Sequence, residues 1–220
     1  MIEYCQNIKP FRQPIPSVND SGDCFACAVA AVFNNMFPKE NITLKQALEW
    51  FEGKDSSNNT VFHNNWWGYE KAFEKSGMDV EFKKFLPLPD YEHFFEYRSM
   101  SWYPMPDAET WQSVVEGFLR CGWHILTEID SNGNGSHLIE GGKIVKNNTN
   151  HAIVIDGVRE YWPEWKDGEK GKAYQYDVHV VDSSKKHKTN EYWISTWDLI
   201  NNHGAAGLWL VRQERFSRND

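Results

Sequence analysis

Apolar positions in the first half of the chain recur at helical spacing. An unbroken, alanine-rich apolar run over residues 24–33 predicts a buried helix that ends near residues 34–35. Thr43 and Gln46 have the spacing of a capping box at the start of a second helix. A third helix is expected over about 65–75, with Gly77 at its end. The first half is therefore predicted to be mainly helical.

In the second half the apolar positions alternate over short segments, which is typical of strands. A helix is expected first, over about 108–120, and the strands follow it. The segments with the pattern, separated by Gly- and Asn-rich turns, are WHILTEI, GKIVK, HAIVIDGV, YDVHVVD and GLWLVRQ, with VEFKKF earlier in the chain. Residues 1–22 are expected to be an extended arm. Helices followed by strands predict a single α+β domain with an antiparallel sheet, about 1–105 mainly helical and about 106–214 mainly β.

Composition and charge narrow the possible partners. The 220 residues include 23 Lys and Arg against 31 Asp and Glu, a net charge of −8, so neither nucleic acid nor an anionic membrane surface is expected as a partner. No apolar run approaches the length of a membrane span, and the N-terminus lacks the pattern of a secretory signal. Four cysteines are too few for a disulfide scaffold. We expect reduced thiols and a location in the cytoplasm, or export without a classical signal peptide; the oligomeric state is not predicted.

Three residues at the ends of predicted elements have the types that nucleophilic catalysis requires. Cys24 lies where a Gly-containing segment enters the first helix, and the partial positive charge of a helix N-terminus favours a thiolate. His151 opens an apolar strand, so its imidazole is expected at the mouth of that strand. Asp182 ends the strand YDVHVVD, where its carboxylate could orient the imidazole. Together they would supply a nucleophile, a base and an orienting group.

The segments around these three residues resemble those of the papain-like cysteine proteases. GDCFA (22–26) is similar to the Gly-Ser-Cys-Trp-Ala segment around that clan's nucleophile, and HAIV (151–154) with Gly157 is similar to its histidine strand. VDSS (181–184) resembles its Asn-Ser-Trp segment, with aspartate replacing asparagine as in bacterial branches of the clan. The resemblance covers about residues 13–212. It implies a helical lobe packed against an antiparallel half-barrel, and a cysteine peptidase that acts on protein or peptide substrates without a cofactor or metal.

The sequence departs from the clan's pattern before the cysteine. The clan has a glutamine six residues earlier, whose amide stabilises the oxyanion, and this chain has Val18 there. Asn19 is the preferred replacement, and Gln13 is an alternative. Most of the 11 tryptophans are expected in the core. The candidates for the lining of a substrate groove are Trp66, Trp67 and Trp102.

Alternative roles for the same residue types stay open. Cys27 could be the nucleophile instead of Cys24, although the match to the clan's segment is then lost. The two cysteines could also form a redox or zinc pair, but no second cysteine pair accompanies them. His179 and Asp182 point to opposite faces of their strand, so they are not expected to share a metal.

Alternative functions also stay open, because the same acyl-enzyme can form whichever second substrate then reacts with it. An amine acceptor would make the protein a transglutaminase-like acyltransferase, and a side-chain amide substrate would make it a deamidase. A non-catalytic binding module on the same fold is a third possibility.

Overall fold

The computed structural model describes residues 2–12, 23–63, 68–85, 107–130, 139–140, 143–144, 150–163, 174–183, 190–201 and 207–214. The helices within these ranges are α1 (Cys24–Met36), α2 (Leu44–Phe51), α3 (Gly68–Ser76), α4 (Ala108–Arg120) and α5 (Thr196–Asn201). The strands are β1 (Ile2–Cys5), β2 (Glu52–Lys54), β3 (Thr60–Phe62), β4 (Val80–Phe85), β5 (His124–Asp130), β6 (Ile139–Glu140), β7 (Lys143–Ile144), β8 (Asn150–Tyr161), β9 (Gln175–Asp182), β10 (Glu191–Ser195) and β11 (Leu208–Gln213).

The helix boundaries follow from local signals. The predicted capping box starts α2. The backbone N–H of Gln46 donates to the Thr43 hydroxyl at 3.3 Å, and the backbone N–H of Thr43 donates to the side-chain oxygen of Gln46 at 2.9 Å. Gly77 follows α3 with φ 63°, and Gly122 follows α4 with φ 79°, a conformation that glycine adopts without strain. The start of α2 and the ends of α3 and α4 therefore follow from local sequence signals.

Seven strands form one antiparallel sheet that does not close. Its order is β10-β9-β8-β5-β11-β4, and β1 adds to β8. The 12-residue β8 is long enough to pair with β5 over residues 150–155 and with β1 over residues 157–160, while β9 runs along its other edge. Two small hairpins, β2-β3 and β6-β7, lie outside this sheet. Among the described helices, none combines the length and the apolar character that crossing a membrane needs.

Helices cover both faces of the sheet because its strands alternate apolar side chains between the two faces. Helices α1, α2 and α3 form one core with one set of strand residues: Leu126, Ala152, Val154, Val181, Trp209 and Val211. Helices α4 and α5 form a second core with the alternate set: Ile125, Ile129, Ile153, Ile155, Val178, Val180, Leu208 and Leu210. The sheet is therefore the middle layer of the fold.

The expected α+β class with an antiparallel sheet is confirmed. Within residues 1–22, expected to be an extended arm, β1 is extended and belongs to the sheet, because it pairs with β8. Strand β4, from the part predicted to be mainly helical, is the edge strand next to β11. The division of the chain near residue 105 stays a prediction, and both parts contribute strands to the same sheet.

Candidate active site

The three residues expected to form a catalytic group lie at element ends that the fold brings together. Cys24 is the first residue of α1, and α1 packs against β8. His151 is near the start of β8, and Asp182 is the last residue of β9. Because β8 and β9 are antiparallel, the start of one lies beside the end of the other, and Ile153 pairs with Asp182. The site therefore lies where β8 begins and β9 ends, beside the N-terminus of α1.

His151 contacts both of its expected partners. Its Nε2 lies 2.6 Å from Oδ1 of Asp182, and the Cys24 side chain lies close enough to the imidazole to raise its pKa. Cys24 is 5% exposed, and the side chains of His151 and Asp182 are 12% and 2% exposed. The three groups thus form a continuous, largely water-excluded series of contacts from thiol to imidazole to carboxylate.

Strand β10 and the residue before it hold Asp182 in place. Tyr192 donates its hydroxyl to Oδ2 of Asp182 at 3.1 Å. The amide of Asn190 donates to the Asp182 backbone carbonyl at 2.6 Å, and the Asp182 N–H donates to the Asn190 carbonyl at 2.8 Å. Sequence reasoning missed both residues, because they act through a strand pairing that no local pattern specifies. Their contacts orient the carboxylate that in turn orients His151.

The electrostatics of the site favour a protonated imidazole. Burial by itself lowers the pKa of His151, but the hydrogen bonds to Asp182 and Cys24 and the negative charges of both residues outweigh it and raise the pKa to about 10. A cationic imidazole between a thiolate and a carboxylate is the electrostatic state that a cysteine nucleophile uses.

A buried phenol lies near this group. Tyr69, in α3, is fully buried, and burial followed by the charges of Cys24 and Glu128 raises its pKa well above the usual range. Among the described residues its hydroxyl has no hydrogen-bond partner. On this side the site therefore borders a neutral tyrosine that packs in an aromatic core.

A second group of the same residue types lies elsewhere in the sheet. Cys5 Sγ is 3.6 Å from Asp156 Oδ2 and 3.6 Å from His179 Nδ1, and His179 Nδ1 is 2.6 Å from Asp156 Oδ1. In its residue types this Cys–His–Asp cluster is compatible with a triad. Its connectivity is unsuited to base catalysis, because the one ring nitrogen near the thiol is already bound by the carboxylate. Burial and the Asp156 charge raise the pKa of Cys5 to about 11, which keeps the thiol protonated at neutral pH.

The remaining sequence candidates are placed only in part. Cys27 is fully buried one turn into α1. His179 and Asp182 do not converge: the first contacts Asp156 and the second contacts His151, as their opposite strand faces predicted. The candidates outside the described residues are Asn19 and Gln13 for the oxyanion, and Trp66, Trp67 and Trp102 for the groove.

Comparison with known proteins adds no family assignment. No protein-family model matches the sequence, and no curated protein matches it. The likeness to papain-like enzymes therefore rests on the three sequence motifs and on the positions of Cys24, His151 and Asp182 at the ends of α1, β8 and β9.

Titration of His151 tests these contacts directly. We expect its imidazole to be protonated at pH 8 in the wild-type protein, and its pKa to fall in Asp182→Ala and in Cys24→Ala. Each variant removes a hydrogen bond and a negative charge, so that burial, which favours the neutral ring, gains weight. The measurement is an NMR pH titration of the imidazole carbons, with Cys121→Ala, an exposed cysteine, as the control. A wild-type pKa near 6.5, or an unchanged value in both variants, would contradict the described contacts.

Proposed function

We propose that this protein is a cysteine peptidase of papain-like type that hydrolyses peptide bonds in protein or peptide substrates. The observation that carries the proposal is the unbroken contact series of Cys24, His151 and Asp182, with Asp182 held by Tyr192. The packing of α1 on one face of the open antiparallel sheet, against β8, supports it, because this places the nucleophile at a helix N-terminus beside the histidine strand.

The reaction follows from the roles of the three groups. The Cys24 thiolate attacks the substrate carbonyl carbon and forms a C–S bond. The imidazolium of His151 then gives its proton to the departing amine as the C–N bond breaks, which leaves a thioester. Neutral His151 next takes a proton from water, the hydroxide attacks the thioester, and the carboxylic acid and the resting ion pair form. Asp182 stays ionised and holds Nε2 throughout, so that Nδ1 is the ring atom that exchanges protons.

This chemistry needs neither a metal nor an organic cofactor. The net charge of −8 supports action on polypeptides rather than on nucleic acid or anionic membranes.

The activated thiol is tested by alkylation with iodoacetamide between pH 6 and pH 9, with the labelled cysteines identified by mass spectrometry. We expect Cys24 to be labelled faster than the exposed Cys121 at pH 6, because an ion-paired thiolate persists where a free thiol is protonated. His151→Ala should slow labelling at Cys24 and leave labelling at Cys121 unchanged. If Cys24 is labelled no faster than Cys121 at any pH, and the assay described next gives no product, the result would contradict the proposed enzyme and favour a non-catalytic binding module.

The second substrate is tested by product analysis with unfolded proteins, for the wild type and Cys24→Ala. New peptide N-termini that require Cys24 support the peptidase. Release of ammonia without cleavage, or incorporation of an added primary amine, overturns peptide hydrolysis and assigns a deamidase or an acyltransferase that uses the same three residues.

A further inference from the structure

Three strands bring the Cys5, Asp156 and His179 side chains to one point. In the register of the sheet, Cys5 pairs with Gly157 across β1 and β8, and Gly157 pairs with His179 across β8 and β9. Cys5, Gly157 and His179 therefore form a row across the three strands, with the glycine in the middle. A Cβ at position 157 would lie 3.1 Å from Cys5 Sγ and 3.0 Å from His179 Cβ. Only glycine leaves room for the flanking cysteine and histidine to converge over it.

A bulge supplies the third member of this cluster. The regular pairing of β8 with β9 is interrupted between Ile155 and Gly157, at Asp156. A bulge re-aims a side chain that an undisturbed strand would direct elsewhere. The Asp156 carboxylate, fully buried, thereby reaches both other side chains. The N–H of Ile8 donates to its Oδ2 at 2.9 Å and fixes its orientation.

Two of the three donor distances in this cluster match those between the ligands of a tetrahedral metal ion, and the third, from His179 Nδ1 to Asp156 Oδ1, is a 2.6 Å hydrogen bond. With a metal–sulfur bond of about 2.3 Å and metal–nitrogen or metal–oxygen bonds of about 2.0–2.2 Å, tetrahedral angles put neighbouring donor atoms about 3.4–3.6 Å apart. Cys5 Sγ is 3.6 Å from both His179 Nδ1 and Asp156 Oδ2. One donor atom from each residue lies within 4.8 Å of the other two. The distances from the Cys5 sulfur to the other two donor atoms therefore already have the values that a tetrahedral metal site requires.

We propose that Cys5, Asp156 and His179 bind a divalent metal of the zinc class, with the fourth position open to water or another ligand. One thiolate, one imidazole and one carboxylate form a donor set that suits zinc. Binding replaces the thiol proton of Cys5 and the proton shared between His179 Nδ1 and Asp156 Oδ1, and both protons leave to solvent. The site is separate from Cys24 and does not depend on the proposed peptidase activity.

No metal was predicted from the sequence, because the papain-like resemblance implies none and no second cysteine pair is present; zinc ligands are recognised in a sequence by close spacing. Here the ligands are more than 150 positions apart at their widest, and only the row across β1, β8 and β9 joins them. A bound metal would cross-link the short N-terminal strand β1 to β9, so that occupancy would also stabilise the attachment of the N-terminus to the sheet.

The test is Zn²⁺ titration of the metal-free full-length protein in reducing buffer, by competition with a chromophoric chelator. We expect one Zn²⁺ per chain with a Kd below about 1 µM. Cys5→Ala and His179→Ala should each weaken binding by at least about tenfold. Co²⁺ should give a thiolate charge-transfer band in the wild type that Cys5→Ala removes. The matched controls are Cys24→Ala and His151→Ala, which remove the same residue types from the candidate active site and should leave both signals unchanged.

Two results would overturn the proposal. The first is wild-type protein that binds no Zn²⁺ more tightly than about 100 µM while circular dichroism shows it folded. The second is Zn²⁺ binding that Cys24→Ala or His151→Ala removes and Cys5→Ala leaves intact, which would place the metal at the candidate active site. Folding of Cys5→Ala and His179→Ala is checked by their thermal transitions without metal, so that a loss of binding is not confused with a loss of structure.

Discussion

His151→Ala is expected to reduce Cys24-dependent substrate cleavage by about 10⁴-fold or more. The variant removes both the cation that holds the thiolate and the group that protonates the leaving amine, and the loss of one member of such a group costs nearly as much as the loss of all. Asp182→Ala should cost about 10²-fold or more, since His151 loses its 2.6 Å contact and the charge that keeps it protonated.

Asp182→Asn separates the orienting role from the charge. Its amide oxygen still accepts from Nε2–H, and its NH2 group can donate to the Tyr192 hydroxyl oxygen, so the cleavage rate should fall less than in Asp182→Ala. The measurement is the initial rate of product formation at saturating substrate, with His63→Ala as a matched histidine control. A folded His151→Ala that retains more than a tenth of the wild-type rate, or equal rates in the two Asp182 variants, would contradict this assignment of roles.

Trp209→Ala is expected to lower the free energy of unfolding by about 3–5 kcal/mol. Trp209 is 1% exposed on β11, and its ring contacts Tyr69, Phe73 and Phe82 at centroid distances of 6.3, 5.9 and 6.4 Å. These contacts join α3 to strands β4 and β11. Removing the indole leaves a cavity between two layers that neither layer can fill by a local shift.

The matched control is Trp162→Ala. Trp162 is 67% exposed and touches Tyr174, so its loss should cost about 1 kcal/mol or less. Urea unfolding followed by circular dichroism measures both variants. If Trp209→Ala does not fold, Trp209→Phe, which keeps most of the apolar volume, should fold and lie between the wild type and the alanine variant in stability. A loss below about 1 kcal/mol in a folded Trp209→Ala would contradict the inter-layer role.

Sequence patterns predicted the elements whose signals are local. The apolar run at residues 24–33 is buried throughout in α1, the capping box starts α2, and VEFKKF is β4 from its first residue to its last. Strand β10 and helix α5 were missed. Strand β10 is short and half-buried along much of its length, so its sequence lacks the alternation of a strand with one buried face.

The candidate active site was likewise predictable only where its residues have local signals. Cys24, His151 and Asp182 stand at the ends of elements, and an element end is a local property. The hydrogen bond from Tyr192 to Asp182 depends instead on the pairing of β10 with β9, which no local pattern predicts. The presence of helices on both sheet faces was also not predicted, because the two halves of the chain were treated as separate lobes rather than as sharing one sheet.

The sequence by itself determined where the four longest of the described helices and the five longest of the described strands form, where three of the reactive residues lie along them, and the net negative charge of the chain. Only the tertiary structure decided which residues face one another across strands. The cluster of Cys5, Asp156 and His179 shows the reason: it needs a register between β1, β8 and β9, a bulge at Asp156 and an empty side-chain position at Gly157. Periodicity along a chain follows from the local geometry of the backbone. Register between distant strands follows from the packing of both sheet faces at once, which no short segment specifies.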